Sequence, residues 1–168
     1  MALPSVIRDM NTFIKETSFI GVVNEATLPK IVTKTADMVL SGFAGDIERD
    51  LGKLEKLESN ITVSQYSSIA LGLVGDRASR DETLVIRGAI DIGDSISKLA
   101  VKMQGLWKEV DFGSFKPEET VGLKFAIAVE VYTLEIDDQE IIHIDKENNI
   151  FRVNGKDRNE KIREALAQ

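Results

Sequence analysis

The segment from Val121 to Ile136 alternates between two kinds of side chain over its whole length. An apolar set (Val121, Leu123, Phe125, Ile127, Val129 and Val131) interleaves with a set that is small or charged apart from one tyrosine (Gly122, Lys124, Ala126, Ala128, Glu130 and Tyr132). This period of two predicts a β-strand. At ~3.3 Å per residue it would span roughly 50 Å, far beyond an ordinary strand. Such a strand needs long partners, and we expect its second face to meet water or another copy of the chain.

The rest of the chain also favours strands. Alternating or β-rich segments cover residues 18–25, 30–35, 54–63, 82–92, 97–107, 139–145 and 150–153. Two helices are expected, a short one at 64–73 and a C-terminal one from Asp157 to Leu166, where Asp157 and Glu160 resemble a capping box. We therefore predict a mainly β fold, an antiparallel sandwich or barrel with a short mid-chain helix and a C-terminal helix. Residues 1–168 form one domain, with an irregular N-terminal arm at 1–11 and a loop at 108–120 held down by Phe112 and Phe115.

Residues 36–52 form the second unusual segment. The sequence ADMVLSGFAGDIERDLG mixes large apolar side chains, three glycines and several charges between two predicted strands. An extended hairpin fits this pattern, but an apolar tip exposed to water is costly. Two interpretations stay open at this point: the hairpin folds back on its own domain, or it is an interaction loop.

Composition excludes several classes of protein. The chain has no cysteine, which excludes disulfides and fits a reducing cytosol. The net charge of −7 argues against a nucleic-acid binder of the usual basic type. No apolar run approaches the ~20 residues of a membrane span, and we expect no secretory signal.

Catalytic signatures are weak. We expect no catalytic residues, no metal site and no cofactor, because the single histidine, His143, lacks an orienting partner in the sequence and no phosphate-binding loop is present. Trp107 and Tyr132 could line a small-ligand cleft, although core positions are the simpler interpretation. An enzyme is the least favoured class.

The chain resembles the major tail tube protein of contractile-tailed bacteriophages and of R-type phage-tail-like bacteriocins. The resemblance is nearly full length and in order. Its motifs are Phe13, SFIG at 18–21, TLPK at 27–30, DLG at 50–52, GLWKEVD at 105–111, the 124–135 strand, Ile144-Asp145 and Val153-Asn154-Gly155 with Asp157. Val39 and Ser41 depart from the pattern, because many relatives carry arginine and glycine there.

The resemblance implies hexameric rings that stack into a hollow tube and share one joint β-barrel. The hairpin would then reach the next ring through Met38, Val39, Leu40, Phe43, Asp46, Glu48, Arg49 and Leu51. The barrel strand would line the lumen or the subunit boundary through Lys124, Ala126, Ala128 and Glu130. Arg158, Glu160 and Lys161 are candidates for the face that meets the sheath.

The implied partners are other copies of the chain, the tail sheath protein, a baseplate or tube initiator and a tape-measure protein in the lumen. DNA would pass through a lumen that is negative on balance, without specific binding. The expected location is a virion tail or tail-like particle, made in the bacterial cytoplasm. Alternatives are the needle tube of a secretion system and the small-ligand module, and the sequence does not separate a phage from a headless particle.

Overall fold

A computed structural model describes residues 3–168 of the chain, and the start of the expected N-terminal arm, Met1 and Ala2, lies outside the described residues. The strands are β1 (Val6–Ile14), β2 (Thr17–Ser18), β3 (Val23–Thr27), β4 (Thr33–Met38), β5 (Ile47–Leu54), β6 (Leu57–Val63), β7 (Thr83–Asp91), β8 (Ile96–Asp111), β9 (Leu123–Ile136), β10 (Gln139–Asp145), β11 (Ile150–Val153) and β12 (Lys156–Asp157). The helices are α1 (Ser68–Leu71), α2 (Glu160–Leu166) and a 3-10 helix at Arg77–Asp81. The mainly β, antiparallel fold with two α-helices is confirmed.

Strand β9 organises the sheet, as its length predicted. One edge of β9 pairs with β8 along almost its whole length. The other edge is divided: β6 pairs with the first half, from Leu123 to Val129, and β10 pairs with the second half, from Val131 to Ile136. The longer path through the sheet runs β12-β11-β10-β9-β8-β7-β1-β2, and β3 extends the shorter branch from β6. All these pairings are antiparallel.

A β-bulge at Glu130 reverses the faces of β9. Gln104 pairs with Val131 and Gly105 with Val129, so Glu130 is the extra residue. Before the bulge the odd-numbered residues of β9 are buried, and after it Tyr132 is buried while Val131 is only half-buried. The predicted single apolar face ending in Val131 is therefore wrong, because one inserted residue shifts a period-two pattern to the other side.

Both halves of the sheet contribute to one core. Its largest fully buried side chains are Trp107, Phe125, Ile14, Leu57, Ile61, Leu73, Met103, Leu123, Ile127, Ile144, Val63 and Val101. Trp107 packs edge-to-face on Phe125 with ring centroids 5.3 Å apart. Helix α1 adds Ala70 to this cluster and the turn after it adds Leu73. The backbone N–H of Gly75 donates to the Trp107 carbonyl at 2.9 Å. The mid-chain helical segment thus covers the core, in a shorter helix than expected that begins after Ser67 rather than Ser64.

Two other expectations are wrong. The predicted arm at 1–11 is a strand from Val6 onward, paired with β7 and bulged at Arg8, where the extra residue hid the alternation. The predicted loop at 108–120 begins only after Asp111, because β8 continues past a second bulge at Lys108. In that loop Phe112 is half exposed and Phe115 is 92% exposed, so neither phenylalanine is buried beneath it.

Strands β4 and β5 form a separate two-stranded hairpin. Met38 pairs with Ile47 near the tip and Thr33 with Leu54 at the root. The residues from Val39 to Leu51 are all exposed, so within residues 3–168 the hairpin does not fold back on its own domain. At ~3.3 Å per residue the six residues of β4 alone carry the tip roughly 20 Å from the root.

Candidate assembly interfaces

The hairpin carries several exposed apolar side chains close together in the sequence. Val39 is 80% exposed and Phe43 60%, and Leu40, Ile47 and Leu51 are also exposed. Contiguous apolar surface of this kind marks a protein–protein contact. Residues 37–50 also carry four carboxylates against one arginine, which gives the tip an acidic rim. Of the predicted contact residues, Met38 alone is half-buried, and the structure brings the whole set together on this hairpin.

The second face of β9 differs in part from its prediction. Lys124 is exposed and Ala128 and Glu130 are half-buried, but Ala126 is buried. Ala126 lies in register with Asn60 of β6 and Glu109 of β8, whose longer side chains flank its methyl group. This part of the sheet surface is therefore small and closely packed rather than open.

Two lysines and one arginine near this face form ion pairs with glutamates. Lys108 Nζ donates to Glu58 Oε2 at 2.9 Å, and Lys102 Nζ lies 3.4 Å from Glu135 Oε1. The hydrogen bond and charge of Lys108 lower the pKa of Glu58 below its ordinary value. Arg80 Nε also lies 3.4 Å from Glu130. The charges of Lys102 and Lys108 are thus partly neutralised where they stand.

Helix α2 carries the remaining predicted residues. Arg158 precedes the helix, and Glu160 and Lys161 lie exposed in its first turn. The capping-box expectation was wrong in detail, since Asn159 is the N-cap and makes no side-chain capping bond. Asp157 instead forms an ion pair with Arg163, and that hydrogen bond holds the pKa of Asp157 below its usual value. Arg163 Nη1 also donates to the Asn149 carbonyl at 2.9 Å, which fastens the helix to the β10–β11 turn.

Two apolar surfaces were missed by sequence reasoning. The rings of Tyr66 and Phe112 stack with centroids 6.4 Å apart, and Phe115 in the same loop as Phe112 is exposed. A groove of about 330 Å³ opens between β1, β7 and β8, with Met10, Ile20, Gly88, Ile96 and Leu99 among its lining residues. The only feature of the sequence that hinted at the groove was Gly88, because a residue without a side chain leaves space between its larger neighbours.

Within residues 3–168 neither the small-ligand cleft nor a metal-binding cluster is formed. Trp107 and Tyr132 are 1% and 3% exposed, so the proposed small-ligand cleft does not form. His143 Nδ1 lies 2.9 Å from Thr133 Oγ1 in the sheet. No group of three or more His, Cys, Asp or Glu in residues 3–168 could hold a metal ion. None of the helices in this part of the chain is both long and apolar enough to cross a membrane.

Solved structures share this architecture. The chain superimposes on a chain of the sheath–tube complex of the PVC extracellular contractile injection system in its extended state, with a TM-score of 0.58 and 8% identity over 79% of this chain and 91% of that one. It also superimposes on a chain of that system's sheath/tube terminator, with a TM-score of 0.54 and 9% identity over 79% and 97% of the two chains. At this identity the likeness establishes the architecture alone.

Sequence comparison gives the family. Residues 4–166 match the family described as phage tail tube protein FII. The tail tube protein of Escherichia phage P2 is 29% identical over 97% of both chains. The major tail tube protein of Serratia phage KSP20 is 31% identical over 93% of this chain and 91% of the relative. The chain belongs to the phage tail tube protein FII family, a structural rather than an enzymatic family, and tail tube proteins form part of the virion tail.

Proposed function

We propose that this tail tube protein is the subunit of the inner tube of a contractile tail. Its hexameric rings stack into a hollow tube that conducts DNA, or ions in a headless particle, and that is driven through the cell envelope when the sheath contracts. The observation that carries this proposal is the free hairpin β4–β5, whose apolar side chains need a partner that the described residues do not supply.

Stacking is assigned to the tip of the hairpin. Val39, Leu40 and Phe43 would be buried against the next ring, with Met38 and Leu51 on the flanks. Asp46, Glu48 and Arg49 would set the register, because charges at the edge of an interface exclude wrong alignments more than they add affinity. A contact between different patches of identical subunits continues indefinitely along an axis, which is what a tube requires.

Ring closure is assigned to the sheet. In one chain the outer edges of β1 and β3 have no strand partner along most of their length within residues 3–168. Joining such edges between six subunits would remove them, as in any closed barrel. Lys124, Ala126, Ala128 and Glu130 would then lie near the lumen or the subunit boundary.

The charge pattern supports passage of DNA without retention. The chain carries a net charge of −7, and Lys102 and Lys108 are already paired with glutamates. Because DNA affinity depends on releasing counterions to lysine and arginine, a lumen with paired lysines and excess acid would bind phosphates weakly. A tape-measure protein would occupy the lumen during assembly, a baseplate initiator would start the tube, and the sheath would meet Arg158, Glu160 and Lys161.

Electron microscopy of the purified protein at high concentration, with its mass in solution, tests the proposal. Hollow tubes or six-membered rings are the expected particles. If only monomers are found, the experiment is repeated with a baseplate or tube seed added to start polymerisation. Failure to polymerise on a seed would overturn the assignment.

A further inference from the structure

Hydrogen bonds hold the root of the hairpin at Val32 and Glu55, whereas the residues from Val39 to Leu51 are all exposed. Glu55 N–H donates to the Val32 carbonyl at 2.9 Å, and Lys146 Nζ donates to the Glu55 carbonyl at 3.2 Å. Partial desolvation lowers the pKa of the Lys146 amine, although the residue as a whole lies exposed at the surface. The chain is therefore held at both ends of the hairpin, and any change in the direction of the tip must occur between this root and Asp50.

A break in the strand pairing lies at that place. Thr33 pairs with Leu54 and Thr35 with Asp50, so residues 51–53 stand opposite Lys34 alone. Gly52 has φ +71, and its N–H donates to the Asp50 carboxylate at 2.7 Å. A bulge with a glycine in the left-handed region bends a strand and interrupts its ladder. Residues 51–53 are the point at which the hairpin can change direction.

Helix α2 packs on this bulge. A Cβ placed on Gly52 would lie 3.0 Å from Ile162 Cδ1, so the isoleucine rests directly against the glycine backbone. The helix itself is held by the Asp157–Arg163 ion pair and by Arg163 bonding the Asn149 carbonyl. Asn159 Nδ2 donates to Asn149 Oδ1 at 3.0 Å and adds a second tie to the same turn.

Space remains on both sides of the contact. Cavities of about 270 and 410 Å³ lie between the root of the hairpin and α2, and Gly52, Leu54 and Ile162 line both. Close packing would hold the hairpin in one direction by many contacts. Here Ile162, which is 40% exposed, meets the bend with room to either side.

We propose that α2 is a latch that sets the direction of the stacking hairpin through the contact of Ile162 with the Gly52 bulge. When Ile162 rests on Gly52, the tip is held in one direction. When the helix loosens, the hairpin pivots at residues 51–53 while its root stays in place. A partner that binds the exposed side of α2 would tighten the latch and thereby favour ring stacking. This functional consequence rests on the stacking role proposed above, whereas the pivot itself does not.

The absence of cysteine allows a direct test with two spin labels. Ala44→Cys places a label at the exposed tip, and Lys98→Cys places the other on β8. Pulsed dipolar spectroscopy then reports the distribution of tip distances in full-length protein kept below the concentration for assembly. Ile162→Ala removes the contact, Arg163→Met releases the helix, and Glu164→Ala is the matched control at an exposed position of the same helix.

The latch predicts a narrow distribution of tip distances in the parent protein and in Glu164→Ala. It predicts roughly doubled width in both Ile162→Ala and Arg163→Met, as for a segment released to open locally. Unchanged widths in the two latch variants would overturn the proposal, and circular dichroism confirms that each variant is folded. If the widths grow but tubes still elongate at the parent rate, the pivot stands and its effect on ring stacking is wrong, whereas the stacking role itself is tested separately by a change at the hairpin tip.

Discussion

Gly105 lies against the backbone of Ala128 so closely that a Cβ on Gly105 would stand 2.1 Å from the Ala128 carbonyl oxygen. This approach occurs where the bulge at Glu130 brings β9 toward β8. The glycine is therefore required by the neighbouring backbone, and both halves of the sheet depend on it.

Gly105→Ala should destabilise the protein more than any other single methyl addition. Because the clash is with backbone rather than with a flexible side chain, we expect a loss of about 3 kcal/mol or more, and a Tm lower by roughly 10 °C. Thermal unfolding followed by circular dichroism measures this. Gly122→Ala is the matched control, since its Cβ would meet only a methyl group of Thr62 at 4.0 Å. Equal Tm values for the two variants would show that the bulge can relax.

The paired lysines should become DNA ligands when their partners are neutralised. In Glu58→Gln with Glu135→Gln, Lys108 and Lys102 lose their acids. If this face lines the lumen, assembled tubes should retain short duplex DNA at low salt and release it as salt rises. Glu160→Gln with Glu164→Gln removes the same charge from α2 and serves as the control. Equal retention in both variants would place the β8–β9 face outside the lumen.

Acid should loosen α2 before it unfolds the sheet. Asp157 has a lowered pKa because Arg163 donates to it, so the pair stabilises the helix above the ordinary carboxyl pKa of 3.8. That contribution is lost as the pH falls through the lowered pKa of the folded protein. The protection factors of the amides of residues 160–166, which correct for the intrinsic pH dependence of exchange, should therefore fall below about pH 4, by the carboxyl reference value. In the variant Asp157→Asn, amide exchange of the same residues should already be fast at neutral pH, with no further change near pH 4. If the change near pH 4 is retained in this variant, it is due to the titration of another acid.

The exposed charges of α2 should matter for the sheath and not for the tube. Arg158→Ala with Glu160→Ala and Lys161→Ala removes side chains that form no salt bridge within residues 3–168. We expect normal tubes and weaker co-sedimentation with sheath protein, by roughly tenfold if the charges complement the sheath. Unchanged co-sedimentation would move the sheath contact elsewhere on the surface.

The sequence predicted those elements whose signals are local. Strands β10 and β11 have the predicted bounds, because alternation and Asn-Gly or Asp-Asp turns delimit them. The reversed face after Glu130 was missed, since a bulge depends on how β8 and β9 approach, and Gly105 alone hints at it. Strand β1 was missed for the same reason at Arg8.

The candidate interfaces also divide into a part that the sequence located and a part that it did not. The hairpin was located because exposed apolar side chains among glycines are visible in the sequence. The contacts proposed for Phe43, with the next ring, and for Arg158, with the sheath, depend on surfaces outside the single chain. The contact of Ile162 with Gly52 was not predictable either, because it joins residues more than a hundred positions apart.

The most direct test of the account is the length of tubes formed by Phe43→Asp, seen by negative-stain electron microscopy. Phe43 is 60% exposed in the single chain, so the charge costs the fold little but would be buried unpaired between rings. We predict folded monomers or single rings without tubes, while Phe43→Leu, which keeps the apolar surface, elongates normally. Tubes of ordinary length from Phe43→Asp would contradict the claim that this hairpin stacks the rings.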